Sequence, residues 1–97
     1  MDDHFELNGI AFVWHRTKAA VNLRKHGVAF EQAAEAFFDP FLRVIDAGVA
    51  DEPRDAIIGL DEHWQLLFVV HIAFEDASIR LISARRATRA ERLWYET

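Results

Sequence analysis

Apolar and polar positions change their rhythm twice along this chain. Phe5–Leu7 and Ile10–Val13 are apolar, β-prone runs on either side of Asn8-Gly9, a dipeptide that favours tight turns. They predict a short hairpin or a kinked edge strand. Over Thr17–His26 the period lengthens: Ala19, Leu23 and His26 fall on one helical stripe, and Lys18, Asn22 and Lys25 on another. Gly27 predicts a left-handed cap, with Val28 as its accompanying apolar contact. Phe30, Ala33, Ala34, Phe37 and Phe38 then form a wide stripe that predicts a second helix over 30–38. Asp39-Pro40 ends it, because the residue before proline is pushed out of the helical region.

From Leu42 the period is two. Leu42–Ala47 reads as a strand, Gly48–Asp55 as an acidic loop containing Pro53, and Ala56–Leu60 as a short apolar strand. Asp61–Trp64 is a polar turn. Gln65–Phe74 is almost wholly apolar, the signature of a strand buried on both faces at the centre of a sheet. After the turn at Glu75-Asp76-Ala77, alternation over Ser78–Ala84 places Ile79, Leu81 and Ser83 on one face and Arg80, Ile82 and Ala84 on the other. Thr88-Arg89-Ala90-Glu91 fits a capping box opening a helix over 89–96. Two helices, three or four antiparallel strands and a closing helix predict an α+β fold, with residues 1–97 as a single domain and no repeat or linker.

Composition narrows the function classes. A chain of 97 residues has room for one core, and eight Phe and three Trp exclude low-complexity disorder. The longest apolar stretch, Leu66–Phe74, falls well short of the roughly 20 residues of a membrane helix. Met1-Asp2-Asp3-His4 lacks the basic-then-apolar pattern of a secretory signal, so a cytoplasmic protein is expected. Without cysteine there is no disulfide, thiolate site or Cys nucleophile. The five histidines show no ligand spacing such as H-E-x-x-H, so neither a metal nor a cofactor is expected. The net charge of -5 alone argues against a nucleic-acid partner. Its distribution argues otherwise: residues 16–26 carry Arg16, Lys18, Arg24 and Lys25 with no acid, and residues 77–97 set five Arg against Glu91 and Glu96. Two basic islands stand on an acidic body.

Phe12-Val13-Trp14, Lys18-Ala19, Asn22, Lys25-His26-Gly27-Val28 and Phe30-Glu31-Gln32-Ala33 resemble the opening of the BrnT toxin family. Ile58-Gly59, the strand with His71, the segment Ile79–Arg92 and Tyr95 resemble its second half. The family usually has Asp-Pro where this chain has His15-Arg16. It has a glycine and a basic residue where this chain has Asp61-Glu62-His63-Trp64-Gln65, and an arginine after His71 where this chain has Glu75-Asp76. The resemblance implies a RelE/ParE-like fold, with two N-terminal helices packed on a small antiparallel sheet of about four strands and a short C-terminal helix. It also implies a ribonuclease that inhibits translation. The partner it implies is a BrnA-like antitoxin whose ribbon-helix-helix domain binds operator DNA.

Metal-free RNA cleavage needs a base for the 2′-hydroxyl, an acid for the leaving 5′-oxygen and cations for the charge on phosphorus. Lys25, His26, Arg54, Arg80 and Arg85 are the candidate catalytic residues. His26 can equally serve as a helix cap, where a cationic ring favours the negative end of the dipole. By strict alternation Arg80 and Arg85 occupy opposite faces unless a bulge intervenes. Lys18 and Asn22 extend the Lys25 stripe as substrate contacts, Trp64 is a candidate for base stacking, and His71 either fills the core or faces the cleft. Arg89 and Arg92 are candidates for antitoxin binding, with Arg86 beside them. Two other classes stay open: a module that mainly binds its antitoxin and represses the operator, and a ParE-like toxin aimed at a protein.

Overall fold

A computed structural model describes residues 1–46 and 54–97, Asp46 by its backbone alone. Ala47 and most of the expected acidic loop, Pro53 included, lie outside the described residues. Among the described residues the chain runs β1 (Asp2–Leu7), β2 (Ile10–His15), α1 (Arg16–His26), α2 (Phe30–Glu35) continued by a 3-10 turn (Ala36–Phe38), β3 (Arg43–Asp46), β4 (Asp55–Leu60), β5 (Leu66–Ala73), β6 (Ile79–Arg86) and α3 (Arg89–Glu96). These strands form one six-stranded sheet in the order β1-β2-β6-β5-β4-β3.

That arrangement overturns the expected antiparallel sheet of about four strands behind two N-terminal helices. Two complete strands precede the helices, and the sheet is mixed. β2 runs parallel to β6, with Phe12 opposite Ile79 and Val13 opposite Arg80, while the other neighbours are antiparallel. Periodicity tells which face a residue takes but not which strand lies beside it, so this long-range pairing leaves no local mark. The hairpin is also longer than expected. Asn8 (φ 50°) and Gly9 (φ 83°) both take left-handed backbone, the geometry of a two-residue hairpin turn, and pairing continues to Asp2 and His15.

Val28, α2 and the 3-10 turn cover one face of the sheet. Phe12, Trp14, Leu67, Val69 and Leu81 meet Val28, Phe30, Ala33 and Ala34 in the core, and Phe12–Phe37 and Trp14–Phe30 pack edge-on at 5.4 and 5.7 Å. The small side chains of α2 let it approach closely. At Gly59 the approach is closer still: a Cβ there would stand 2.5 Å from the Ala36 carbonyl oxygen.

The register between β5 and β6 slips at Val70/His71, so that Val70 faces Ser83 while His71 faces Leu81. Ile82 is the extra residue of a β-bulge. The bulge breaks the alternation expected over 79–84. Leu81 and Ala84 share the core face, and Arg80, Ser83 and Arg85 stand opposite Ile72, Val70 and Phe68 on the other face.

Candidate functional site

The site grows from the place where β2 ends. The β2–β6 ladder covers Phe12 and Val13, and beyond it α1 takes the position of a neighbouring strand. The Asn22 amide donates to the Ala84 carbonyl at 2.9 Å and accepts from the Ala84 N–H at 3.0 Å, the two bonds a strand would supply. Its second proton goes to the Val28 carbonyl at 3.0 Å. Asn22 is buried, with both amide protons committed to the fold. Gly27 (φ 71°) closes the helix, its N–H donating to the Leu23 carbonyl at 2.8 Å. At the other end His15 occupies the N-cap position without a side-chain cap bond, and the Arg16 amide donates to the Met1 carbonyl at 2.9 Å.

Thr17, Lys18, Val21, Lys25 and His26 of α1 line an open groove with Ile82 and Ser83 of β6, and Asn22 forms its floor. Among the described residues no carboxylate lines it. Lys18 and Lys25 are exposed and His26 is half-buried. The groove thus gathers Lys18, Asn22, Lys25 and His26.

The remaining candidates lie elsewhere. Arg80 shares a sheet face with Ser83, but its guanidinium donates to Asp2 at 2.7 Å, a bond that raises its pKa. Asp3 holds Arg16 in the same way at 2.7 Å. Arg85 grips both oxygens of Glu91 at 2.8 and 2.9 Å and lies 4.3 Å over the Phe68 ring, so it fastens α3 to the sheet. The bulge brings Arg80 and Arg85 to one face, each with its own carboxylate. Arg54 is half-buried just before β4, two strands or about 10 Å across the sheet from β6. His71 is in the core, edge-on to Phe37 at 4.9 Å, and burial pushes its pKa below the usual 6.5. Trp64 projects from the β4–β5 turn with 80% of its surface exposed. Arg89 and Arg92 are exposed on α3.

Three residues with a place near the site were not singled out from the sequence. Ser83 and Thr17 line the groove, and His15 stands opposite Asp2 with a buried Nδ1 that has no hydrogen-bond partner among the described residues. Only the bulge places Ser83, so alternation could not find it. Among the described residues, Glu35, Asp61 and His63 also bring one potential metal-ligand atom each within 4.8 Å of the others. Their carboxylates are already in use: Asp61 accepts from Gln32 and from the His63 and Gln65 amides, and Glu35 accepts from the Glu62 amide.

The site is thus a cationic helix face laid along β6, on a small α+β scaffold. The family model of BrnT, the ribonuclease toxin of type II toxin–antitoxin systems, matches residues 14–91, and the chain belongs to that family. It is therefore a ribonuclease toxin with an antitoxin as partner. No curated protein matches the chain. Among the described residues, no helix is long and apolar enough to cross a membrane.

Proposed function

We propose that the chain cleaves RNA without a metal ion, in the groove between α1 and β6, and that it inhibits translation in the cytoplasm by doing so. The lining of that groove carries the reading: among the described residues, two lysines and a histidine converge with two hydroxyls and no acid. Lys18 and Lys25 hold phosphates. His26 takes the proton of the 2′-hydroxyl as that oxygen attacks phosphorus, and Lys25 offsets the charge that builds there. The leaving 5′-oxygen is protonated from the imidazolium or from solvent, leaving a cyclic phosphate and a 5′-hydroxyl. Arg80 joins when a phosphate displaces Asp2, while Arg54 contacts RNA beyond the groove. A BrnA-like ribbon-helix-helix antitoxin neutralises the protein and alone connects it to operator DNA, with Arg89 and Arg92 among the residues it meets.

The ion pairs of Arg80 and Arg85 favour a second reading, in which cleavage is weak and antitoxin binding is the main role. The test is incubation of the purified chain with a long single-stranded RNA in excess EDTA. Fragments are expected, reduced about 100-fold in rate by Lys25→Ala or His26→Gln at unchanged melting temperature. Cleavage that needs added Mg²⁺ overturns the metal-free mechanism. Intact RNA with a folded protein under both conditions supports the second reading.

A further inference from the structure

The β4–β5 turn and the 3-10 turn enclose a second groove, remote in character from the first. Its apolar lining is Phe38, Pro40, Leu60 and Trp64. Its polar lining is Glu35, Asp39, Asp61 and Glu62, with no lysine or arginine among the described residues. Its volume of ≈ 260 Å³ lies below the roughly 300–1,000 Å³ of small-molecule sites, so it suits one anchoring side chain rather than a substrate. Phe41, 75% exposed, extends the aromatic surface beside it.

The walls are braced before anything binds. The Asp61 carboxylate accepts the His63 and Gln65 amides at 2.7 and 2.9 Å, and Glu35 accepts the Glu62 amide at 3.1 Å. Asp39 accepts the Leu60 amide at 2.8 Å and the Tyr95 hydroxyl at 2.5 Å. Burial pushes the Asp39 and Asp61 carboxyls up, but these hydrogen bonds together hold both below the usual 3.8, so both stay ionised. Trp64 sits in left-handed backbone (φ 65°), an unfavourable conformation for a bulky side chain that persists because the turn around it is over-determined. A large aromatic side chain on a rigid turn, unspent on the protein's own core, has the character of an interface anchor.

We propose that this acid-rimmed aromatic groove is where the antitoxin docks, through a segment that pairs one large apolar side chain with flanking lysines or arginines. Charge decides the occupant. A carboxylate rim repels the phosphates of RNA and attracts cationic side chains, and it leaves the basic groove to the nucleic acid. Arg86 and Arg92 line a separate cleft on the other side of Trp64, so base stacking on that ring is the competing outcome. The proposal rests on the family's antitoxin partner and not on where, or whether, this chain cleaves RNA.

The probe is the purified antitoxin produced from the reading frame adjoining this one, titrated calorimetrically against the full chain. A fluorescent single-stranded RNA is titrated in parallel. Trp64→Gly removes the ring while suiting the left-handed backbone, and Glu62→Lys reverses one rim charge on an exposed side chain. Each is expected to weaken antitoxin binding by at least about tenfold. Lys25→Ala is expected to stay within about twofold, since it changes a different surface. Antitoxin affinity unchanged in both groove variants overturns the proposal, as does failure of the unaltered chain to bind. RNA binding lost on Trp64→Gly with antitoxin affinity intact assigns the ring to base stacking. A chain that is dimeric alone and monomeric as Trp64→Gly assigns the groove to a second copy, and either result overturns the proposal.

Discussion

Asn22 makes three buried hydrogen bonds from one side chain, and no other residue of α1 is as deeply buried. Asn22→Ala strands the Ala84 N–H and the Ala84 and Val28 carbonyls, so it is expected to cost about 2–4 kcal/mol in urea unfolding. Lys25→Ala, on the exposed side of the same helix, should change stability by no more than about 0.5 kcal/mol. The sequence shows Asn22 on a polar stripe with two lysines, which reads as a solvent-facing contact. Nothing local reveals that the stripe's middle residue meets a strand edge, because that edge is supplied by Ala84. His71 was legible as far as its type allows, since a lone histidine in an apolar run has a core reading from the start. Burial lowers its pKa against a weaker opposing pull from the Val69 backbone and Asp55, so the unfolded chain binds the proton more readily than the folded one. Its contribution to stability is therefore fully present above about pH 6.5 and is lost as the pH falls below that value. Unfolding midpoints measured between pH 7.5 and 5 should decline, and His71→Phe should remove part of that slope.

At the scale of elements, legibility follows the range of the interactions. The capping box of α3 was readable because it spans four residues: the Thr88 hydroxyl accepts the Glu91 amide at 3.2 Å, and Glu91 accepts the Thr88 amide at 2.8 Å. The second task of Glu91, holding Arg85, was not readable, because strict alternation puts that arginine on the wrong face. One bulge at Ile82 corrects it. Glu91→Gln weakens the cap and the ion pair together. It is expected to raise amide exchange over 89–96 and to lower stability by about 1–2 kcal/mol, with little effect at the groove. β4 carries the opposite lesson. Gly59 looks like a weak point in an apolar strand, yet it is where the 3-10 turn presses on the sheet. Gly59→Ala sets a Cβ against the Ala36 backbone oxygen, so the turn must move and about 1–3 kcal/mol should be lost on thermal unfolding.

For the whole molecule, segment charge marks two basic islands, and the fold lays α1 of the first along β6 of the second, which lends Ile82 and Ser83 but none of its arginines to the groove. It also withholds part of their charge, since Asp2 and Asp3 on β1 occupy Arg80 and Arg16. Those carboxylates belong to a strand that precedes the family match, and the family pattern says nothing of them. Asp2→Asn with Asp3→Asn frees two cations on the exposed surface. RNA affinity should rise roughly two- to fivefold in low salt, and binding should fall more steeply with added salt because more phosphates are neutralised.

The groove has one wall from early in the chain and one from near its end. The parallel pairing of β2 with β6, and the Asn22 bracket on Ala84, both wait for that second wall. While the protein is being synthesised, the lysine-bearing helix leaves the ribosome long before Ile82, Ser83 and Ala84 do. Until they emerge there is no strand edge for it to close against. A protein proposed to cleave RNA thereby gains its groove only once β6 has been made and α1 has closed against it.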